Sequence, residues 1–475
     1  MVARLVIAGT ASGVGKTTVT VGLARALRAR GLEVAVFKCG PDYLDPSYHA
    51  RAAGAPCRNL DGWMMGRDAV VATFAGATQG ADIALIEGVM GLYDGASPTS
   101  DEGSTAEIAR WLAAPVVLVC DASGMARSIA ALARGFVAED PTIAIAGLLC
   151  NRIGSRGHLE LLGKATAGAP RVLGGLPAEP ALSFPERHLG LRTADRGSVP
   201  DAQLDAWGER VSAWLDVDAI LAAARAAPEL PAASEGAARV SDAASRPAGP
   251  PRRATRRATC RIGLALDEAF HFYYDDNLRR LEQLGAELVP FSPVRDPQLP
   301  DVDGLYLGGG YPELSAEALA ANRAMRAGIA GFVGAGGPVY AECGGLMYLA
   351  SAIRTLDGRR HDMVGVLPGE AVMRDRLVAL GYVEVETQAP TVLGGPGLRF
   401  RGHQFRYSEL ELPAEVMRAY TVRRRRGGEV AREGFCTGSV LASYVHAHWA
   451  SNPLVARGLV AACTEHARLR ARRSP

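Results

Sequence analysis

The chain is poor in lysine and in aromatic residues. Three of its 52 basic residues are lysines, Lys16, Lys38 and Lys164, and aromatic residues make up 6% of its 475 positions. The 52 basic residues are balanced by 50 acidic ones, so no global field draws the protein to nucleic acid or to a membrane surface. The sequence also shows no basic groove interleaved with aromatic residues. We therefore expect neither a nucleic-acid nor a membrane partner.

Signals for membrane insertion, export and a disulfide framework are missing as well. The longest apolar stretch, residues 111–120, is about half of the ~18 residues that a membrane span needs. The amino-terminal residues lead directly into a core strand, so we predict no signal peptide. The eight cysteines form no Cys-x-x-Cys pair and no zinc-ligand spacing, which favours reduced thiols. These features predict a cytoplasmic enzyme.

The length and the pattern of apolar runs predict two α/β domains. Residues 226–259 consist of Ala, Pro, Ser, Gly and Arg with almost no large apolar residue, which is typical of a flexible linker. On both sides of it, short apolar runs alternate with helical stretches, as in parallel sheets covered by helices on both faces. The predicted strands are 4–9, 33–38, 82–87, 115–121, 143–150 and 171–176 before the linker, and 261–266, 286–290, 302–307 and 338–342 after it. The predicted divisions are a first domain at 1–225, the linker, a second domain at 260–455, and a carboxy-terminal helix and tail at 456–475.

The first apolar run leads into the glycine-rich segment Gly9–Thr17. A strand, a glycine-rich turn and a helix in this order are typical of a P-loop. Gly13 and Gly15 allow backbone N–H groups to turn toward an anion, Lys16 can reach phosphate oxygens, and Thr17 can place its hydroxyl on Mg²⁺. The loop has an extra residue compared with the usual pattern and resembles that of dethiobiotin synthetase-like ATPases. We expect an ATP site here.

The second predicted strand ends at Lys38 and is followed by a polar turn. Lys38, Asp42 and Asp45 place one cation and two carboxylates on a loop that faces the nucleotide. This mixture suits the binding of a γ-phosphate, Mg²⁺ and an incoming carboxylate. The alternative is a capped turn with solvated acids.

The third predicted strand delivers Glu87 at its carboxyl end, which is the Walker-B arrangement. Glu87 is therefore a predicted Mg²⁺ ligand or organiser of its waters, and Asp94 is a second candidate. Asn151, after a later strand, is predicted to line the nucleotide base. Because several strand ends deliver polar residues to one edge of a parallel sheet, the prediction of a nucleotide site does not depend on one motif.

In the second domain, a predicted strand runs into Cys343, then two glycines and a helix. This is the pattern of a nucleophile elbow, in which small neighbours permit a strained turn. We expect the helix terminus to lower the pKa of the Cys343 thiol, and the thiolate to attack an amide carbonyl. The alternative is a buried core thiol.

A thiol nucleophile needs a base and an oxyanion site. His446 is the predicted base, with His448 as its rival. The backbone N–H groups of Gly309, Gly310 and Gly344 are the predicted oxyanion donors.

The elbow, the glycine loop and the late histidine resemble a class I glutamine amidotransferase domain. That family has a glutamate two residues after its histidine, and His448 stands at that position here. The resemblance therefore implies a Cys343–His446 dyad.

The whole chain outside the linker resembles the cobyrinic or hydrogenobyrinic acid a,c-diamide synthases. The segments that carry the resemblance are 40–46, 185–191, 267–274 and 402–408. Within the last segment, Gln404 and Arg406 stand where the family often has glutamate and histidine.

The resemblance implies that Mg²⁺-ATP phosphorylates a corrin carboxylate, and that ammonia released from glutamine at Cys343 then displaces phosphate. The implied metal ligands are Thr17, Asp45 and Glu87, and Lys16 and Thr17 hold the phosphates. The residues implied to face the corrinoid carboxylate are Asp42, Tyr43, Leu44 and Asp94. A related amidotransferase acting on another tetrapyrrole carboxylate, and a non-enzymatic P-loop regulator, are the alternatives. A homodimer is one of the assemblies that the sequence allows.

Overall fold

The chain divides into two compact units, residues 1–248 and 249–475. The computed structural model describes residues 2–167, 170–179, 186–187, 190–191, 199–230 and 258–473. Most of the predicted linker lies outside the described residues, as do residues 185, 188 and 189 of the segment 185–191. No helix in the described part of the chain combines the length and the apolar character that crossing a membrane requires.

The first unit is built on a seven-stranded sheet in which every pair of neighbours is parallel. Its strands are β1 (Ala3–Gly9), β2 (Val34–Cys39), β3 (Cys57–Leu60), β4 (Ile83–Glu87), β5 (Val116–Asp121), β6 (Ile145–Ile153) and β7 (Val172–Pro177). They lie in the order β3-β2-β4-β1-β5-β6-β7. The predicted parallel α/β class is confirmed, and the short strand β3 is an addition to the six predicted strands. A further short pair, β8 (Glu186–Arg187) and β9 (Gly190–Leu191), is antiparallel.

Helices connect these strands. They are α1 (Lys16–Ala29), α2 (Asp45–Ala53), α3 (Gly62–Met65), α4 (Arg67–Ala77), α5 (Thr105–Trp111), α6 (Ser128–Glu139), α7 (Arg156–Ala165), α8 (Asp201–Trp214) and α9 (Val217–Arg225). Local sequence explains where some of these helices begin and end. Helix α2 has proline in its first turn and ends at Gly54, whose φ of 66° is left-handed, while the Ser104 side chain caps α5 by accepting from Glu107 N.

The second unit contains a ten-stranded mixed sheet in the order β11-β10-β12-β13-β22-β21-β20-β17-β18-β23. In this order, neighbours from β11 to β22 pair in parallel, and neighbours from β22 to β23 pair antiparallel. A four-stranded sheet, β15-β14-β16-β19, accompanies it. The α/β class and the four parallel strands are confirmed, but the antiparallel half was not predicted.

The strands and helices of the second unit have the following bounds, in chain order. The strands are β10 (Cys260–Ala265), β11 (Ala286–Phe291), β12 (Gly304–Leu307), β13 (Val339–Glu342), β14 (Ala350–Arg354), β15 (Arg360–Asp362), β16 (Leu367–Met373), β17 (Ala379–Thr387), β18 (Arg399–Arg406), β19 (Ser408–Glu411), β20 (Met417–Arg424), β21 (Val430–Thr437), β22 (Val440–Ser443) and β23 (His446–Ala447). The helices are α10 (Asp275–Gln283), α11 (Ala316–Ala321), α12 (Arg323–Gly334), α13 (Gly344–Leu349) and α14 (Leu454–Arg473), with 3₁₀ turns at Pro312–Ser315 and Trp449–Ser451.

Helix α1, which follows the phosphate loop, packs closely against α8. A Cβ atom added at Gly22 of α1 would lie 2.4 Å from Val211 Cγ2 and 3.1 Å from the Trp207 carbonyl oxygen. The two helices therefore approach each other because Gly22 has no side chain. This contact fixes the helix whose first residues carry the predicted phosphate-binding groups.

We predict that Gly22→Ala destabilises the protein by about 1–3 kcal/mol, since the added methyl group overpacks the contact. The matched control is Gly135→Ala in α6, where a Cβ atom meets nothing within 4 Å. Because alanine favours the helix over glycine, this control should be stabilising by about 0.5–1 kcal/mol. Urea unfolding followed by circular dichroism measures both. Equal effects of the two substitutions would contradict the packing argument.

Candidate active sites

The polar residues of the first unit converge because neighbouring parallel strands end at the same edge. In the register of the sheet, Lys38 on β2 lies beside Glu87 on β4, and Glu87 lies beside Ile7 on β1. Strand β1 continues directly into the glycine-rich loop before α1. The predicted phosphate loop, cation and acid are therefore brought to one place by strand order alone.

The phosphate loop has the backbone that its sequence predicts. Gly13 and Gly15 have φ values of 74° and 96°, a region that residues with side chains rarely adopt. Lys16 Nζ donates to the carbonyl oxygens of Ala11 at 3.1 Å and Met90 at 2.6 Å. Burial, followed by the neighbouring Lys38 ammonium, lowers the Lys16 pKa. The loop therefore holds the buried Lys16 side chain against backbone carbonyl oxygens, beside the turn at Gly13 and Gly15 whose N–H groups can face an anion.

A buried cluster of charges lies beside this loop. Lys38 Nζ is 2.6 Å from Asp45 Oδ2 and 2.7 Å from Glu87 Oε1. Thr17 Oγ1 donates to Glu87 Oε1 at 2.8 Å and lies 3.4 Å from Asp45 Oδ2. The structure thus brings together Thr17, Lys38, Asp45 and Glu87, four of the predicted residues.

The charges in this cluster stabilise one another. Burial by itself lowers the Lys38 pKa, but the carboxylates of Glu87 and Asp45 outweigh it and hold this pKa well above its usual value. Burial disfavours the charge on Glu87, yet Lys38 and His49 lower the Glu87 pKa. Burial raises the Asp45 pKa to about 6, against the opposing effect of Lys38. Lys38 and Glu87 therefore form a buried pair in which both members are charged.

His49 is part of the cluster, although it was not among the predicted site residues. Its Nε2 lies 2.5 Å from Glu87 Oε2, and both side chains are fully buried. His49 follows Asp45 by four residues in α2, so both project from the same face of that helix. This spacing is the signal in the sequence that could have identified His49 as a neighbour of Asp45.

The other predicted residues of the first unit have local structural contacts. Asp42 Oδ1 accepts from the N–H groups of Leu44 at 2.7 Å and Asp45 at 3.1 Å, which caps the start of α2. Asp94 Oδ2 accepts from Gly91 N at 2.9 Å. Asn151 Nδ2 donates to Val14 O at 2.8 Å, so Asn151 supports the back of the phosphate loop. The capped-turn alternative thus describes Asp42, while Tyr43 and Leu44 are half-buried beside it.

The oxygen atoms of Thr17, Asp45 and Glu87 fit a magnesium ion bound together with a nucleotide. Mg²⁺ prefers hard oxygen ligands and keeps several waters, so one or two carboxylates and the phosphates suffice to hold it. Among the described residues, no group of three or more His, Cys, Asp or Glu side chains could hold a metal by itself. The donor set suits a metal that arrives with phosphate.

In the second unit, Cys343 lies on a strained turn between β13 and α13. Its φ of 46° and ψ of −99° are uncommon for a residue with a side chain. The following glycines are needed for space, since a Cβ atom at Gly345 would lie 2.3 Å from Leu307 O. The Cys343 N–H donates to Ser443 O at 2.7 Å, which ties the turn to β22. This is the geometry of the predicted nucleophile elbow.

The Cys343 thiol is buried and neutral. Burial raises its pKa to about 12, with a smaller contribution in the same direction from Glu313. The direction is opposite to the lowering that we expected from the helix terminus, because burial outweighs the hydrogen bond from the Gly344 N–H, which acts to lower this pKa. The thiol therefore depends on a base to ionise it.

His446 rather than His448 lies at the glycine loop. A Cβ atom at Gly309 would lie 2.3 Å from His446 Cε1, and one at Gly344 would lie 3.0 Å from Gly310 N. The predicted oxyanion loop, the elbow and His446 therefore meet. His448 packs on Tyr274 with ring centroids 4.7 Å apart, and its Nδ1 accepts from Ala450 N.

Both histidines are neutral in these surroundings. Burial, followed by the nearby His403, lowers the His446 pKa to about 3. Burial, followed by Arg280, lowers the His448 pKa to about 3. A neutral imidazole at the elbow has the protonation state that a general base needs.

Comparisons with known proteins match both units. Residues 5–191 match the CobQ/CobB/MinD/ParA nucleotide binding domain, and residues 261–454 match the CobB/CobQ-like glutamine amidotransferase domain. A cobyrinate a,c-diamide synthase of Leptospira interrogans is 49% identical over 464 residues, which cover 97% of this chain and 98% of that protein. Proteins of the same name from Syntrophotalea carbinolica and Methanosarcina acetivorans are 48% and 42% identical, and each alignment covers at least 97% of both chains. The chain belongs to the cobyrinate a,c-diamide synthase family.

Membership of the cobyrinate a,c-diamide synthase family makes the protein a glutamine-hydrolysing ligase. The nucleotide-binding match contains the phosphate loop and the Lys38–Glu87 cluster. The amidotransferase match contains the elbow, the glycine loop and both histidines. Each unit therefore carries one candidate site of its own.

We predict that Lys38→Met destabilises the protein by about 3 kcal/mol or more, because it leaves the Glu87 and Asp45 carboxylates buried without their ammonium partner. The control is Lys164→Met on the exposed surface of α7, which should change stability by about 0.5 kcal/mol or less. Chemical unfolding of both variants without nucleotide measures the difference. A Lys38 variant as stable as the control would show that the buried pair contributes nothing net.

Proposed function

We propose that the protein amidates the a and c acetate carboxylates of cobyrinic or hydrogenobyrinic acid, using ATP and glutamine, in cobalamin biosynthesis. The observation that carries the proposal is the buried cluster of Lys38, Asp45 and Glu87 beside the phosphate loop, in a chain that matches named a,c-diamide synthases over almost its full length. The proposal places this reaction in the cytoplasm, and a homodimer stays a prediction.

In the first unit, a substrate carboxylate oxygen attacks the γ-phosphorus of ATP, and ADP leaves. The buried ammonium groups of Lys16 and Lys38 are placed to stabilise the charge on the transferred phosphoryl group. Thr17, Asp45 and Glu87 would hold Mg²⁺, which neutralises phosphate charge when it is bound. The product of this step is an acyl phosphate.

The turn before α2 is the proposed contact for the corrinoid. Tyr43 and Leu44 are half-buried and stand two residues and one residue before Asp45, which faces the predicted phosphate site. Asp42 shapes this turn by capping α2, and Asp94 shapes the opposing loop through Gly91 N. These residues would position the peripheral carboxylate, while Asn151 would support the nucleotide loop from behind.

In the second unit, His446 takes the proton of Cys343, and the thiolate attacks the side-chain carbonyl of glutamine. The N–H groups of Gly310 and Gly344 would stabilise the oxyanion, whereas the N–H of Gly309, also predicted as a donor, is bonded to Phe272 O at 3.3 Å because the two residues form a β-bridge. His446 returns the proton to the leaving ammonia, and water then hydrolyses the thioester to glutamate. Ammonia attacks the acyl phosphate carbonyl in the first unit, and inorganic phosphate leaves.

We predict that Cys343→Ala abolishes glutamine-dependent amidation, while synthesis from free ammonia continues at a similar rate. The control is Cys436→Ala, another buried cysteine of the second unit, which should keep both activities. Lys16→Ala should lose amidation from either nitrogen source, since it removes a phosphate-binding charge. Product formation with glutamine or with ammonium chloride measures these rates. Loss of both activities in Cys343→Ala would contradict the division of the two reactions between the units.

The substrate is tested by mass spectrometry of products formed from Mg²⁺-ATP, glutamine and either cobyrinic or hydrogenobyrinic acid. Each conversion of a carboxylic acid to an amide replaces a hydroxyl group by an amino group and lowers the product mass by the difference between them. We expect two such steps and not a third, because two carboxylates are converted. The preferred ring is the one converted faster. Intact glutaminase activity without a mass change on either ring would support the alternative, amidation of another tetrapyrrole carboxylate.

A further inference from the structure

Glu342, the last residue of β13, is a buried acid directly before the nucleophile Cys343, and burial raises its pKa to about 7 against the opposing hydrogen bonds that it accepts. It is 1% exposed. Its Oε1 accepts from Tyr340 Oη at 2.7 Å and from Ala447 N at 3.0 Å, and its Oε2 accepts from Tyr306 Oη at 3.1 Å. These three donors come from three different strand regions, so the position of the carboxylate is fixed.

The Glu342 carboxylate also faces His446, the proposed base. Glu342 Oε2 lies 4.0 Å from Nδ1 of His446, and both side chains are buried. A histidine that acts as a base through one ring nitrogen needs a group at its other nitrogen to set its tautomer and orientation. The residue two positions after His446 is His448, which packs on Tyr274 and provides no carboxylate. Glu342 is the acidic group that the structure places at His446.

We propose that Glu342 is the positioning residue of His446 in glutamine hydrolysis, so that a Cys343–His446–Glu342 arrangement performs the reaction. This inference rests on the proposed hydrolysis of glutamine at Cys343. The nucleophile and the positioning acid are then adjacent residues of the chain, and the elbow sets both.

The physical reason for such a residue is the charge that the reaction creates. When His446 accepts the Cys343 proton, a cation forms at a site that is out of contact with water. An unpaired buried cation is costly, whereas one that faces a fixed carboxylate is stabilised. A second titratable neighbour, His403 on β18, stands opposite His446 in the sheet and is kept neutral because burial lowers its pKa to about 4. The 4.0 Å separation should shorten as the imidazolium forms.

The test compares Glu342→Gln with the wild-type full-length enzyme. We expect kcat for glutamate release from glutamine to fall on the order of 10²-fold, with the KM for glutamine unchanged, because the amide keeps the shape but removes the charge. Alkylation of Cys343 by iodoacetamide should slow by a similar factor. Synthesis from ammonia should be unchanged, which reports on correct folding. Glu342→Asp, whose carboxylate lies farther from His446 Nδ1, should lose kcat by a smaller factor.

The matched control is Glu433→Gln, which alters another buried glutamate of the second unit. Glu433 accepts from Gly434 N, Ser443 Oγ and Tyr444 N. This control should leave the alkylation rate of Cys343 unchanged, because Glu433 is not the group at His446. Equal slowing in Glu433→Gln and Glu342→Gln would overturn the assignment, since any buried charge would then have the same effect.

A double-mutant cycle separates positioning from a general structural role. If Glu342 acts through His446, the pair Glu342→Gln/His446→Ala should hydrolyse glutamine no more slowly than His446→Ala alone. Additive losses, a change confined to KM, or wild-type kcat in Glu342→Gln would overturn the inference. If Glu342→Gln misfolds and loses ammonia-dependent synthesis, Glu342→Asp becomes the deciding variant. A wild-type kcat for glutamine hydrolysis in Glu342→Asp would then overturn the inference. Glutaminase activity that survives in Cys343→Ala would refute the proposed function itself, a distinguishable result.

Discussion

The buried pair between Lys38 and Glu87 is the interaction on which the first unit depends. It joins β2 to β4 across the sheet, and Asp45 and His49 attach α2 to it. Thr17 attaches α1 through Glu87 Oε1. Because a buried carboxylate without its partners costs several kcal/mol, these elements are held in one arrangement. The ion pairs and hydrogen bonds that hold these elements together are therefore the same ones that form the proposed phosphoryl-transfer site.

The parallel sheets explain why the sequence predicted so much of both sites. Strand ends are recognisable as apolar runs that stop at a polar residue, and parallel neighbours bring those residues to one edge. Lys38, Glu87 and Cys343 could be placed in this way without any contact being known. The burial of Cys343 could not, since burial depends on residues far apart in the chain, and it reverses the expected direction of its pKa.

The parts that were not predicted lack that signal. Residues 383–387 of β17 and 399–406 of β18 mix polar with apolar side chains, so neither segment contains a continuous apolar run. His49 was missed because its partner is 38 residues away, and only its helical spacing from Asp45 connected it to the site. Asn151 was assigned to the nucleotide base, whereas its amide contacts the phosphate loop through Val14. The direction of the Asn151 side chain depends on packing against residues far away in the chain, which the sequence pattern does not show.

The two sites use burial in opposite ways. In the first unit, Lys38 and Glu87 are charged before substrate arrives, and phosphate and metal would enter a site whose charges are already fixed. In the second unit, burial favours the neutral forms of Cys343 and His446. The ion pair of thiolate and imidazolium is therefore costly until glutamine supplies a carbonyl for the thiolate to attack. A neutral resting thiol is also a poor target for oxidants, since the thiolate is the reactive form. In the proposed mechanism, the same burial therefore keeps the nucleophile neutral at rest and opposes the ion pair that glutamine hydrolysis needs.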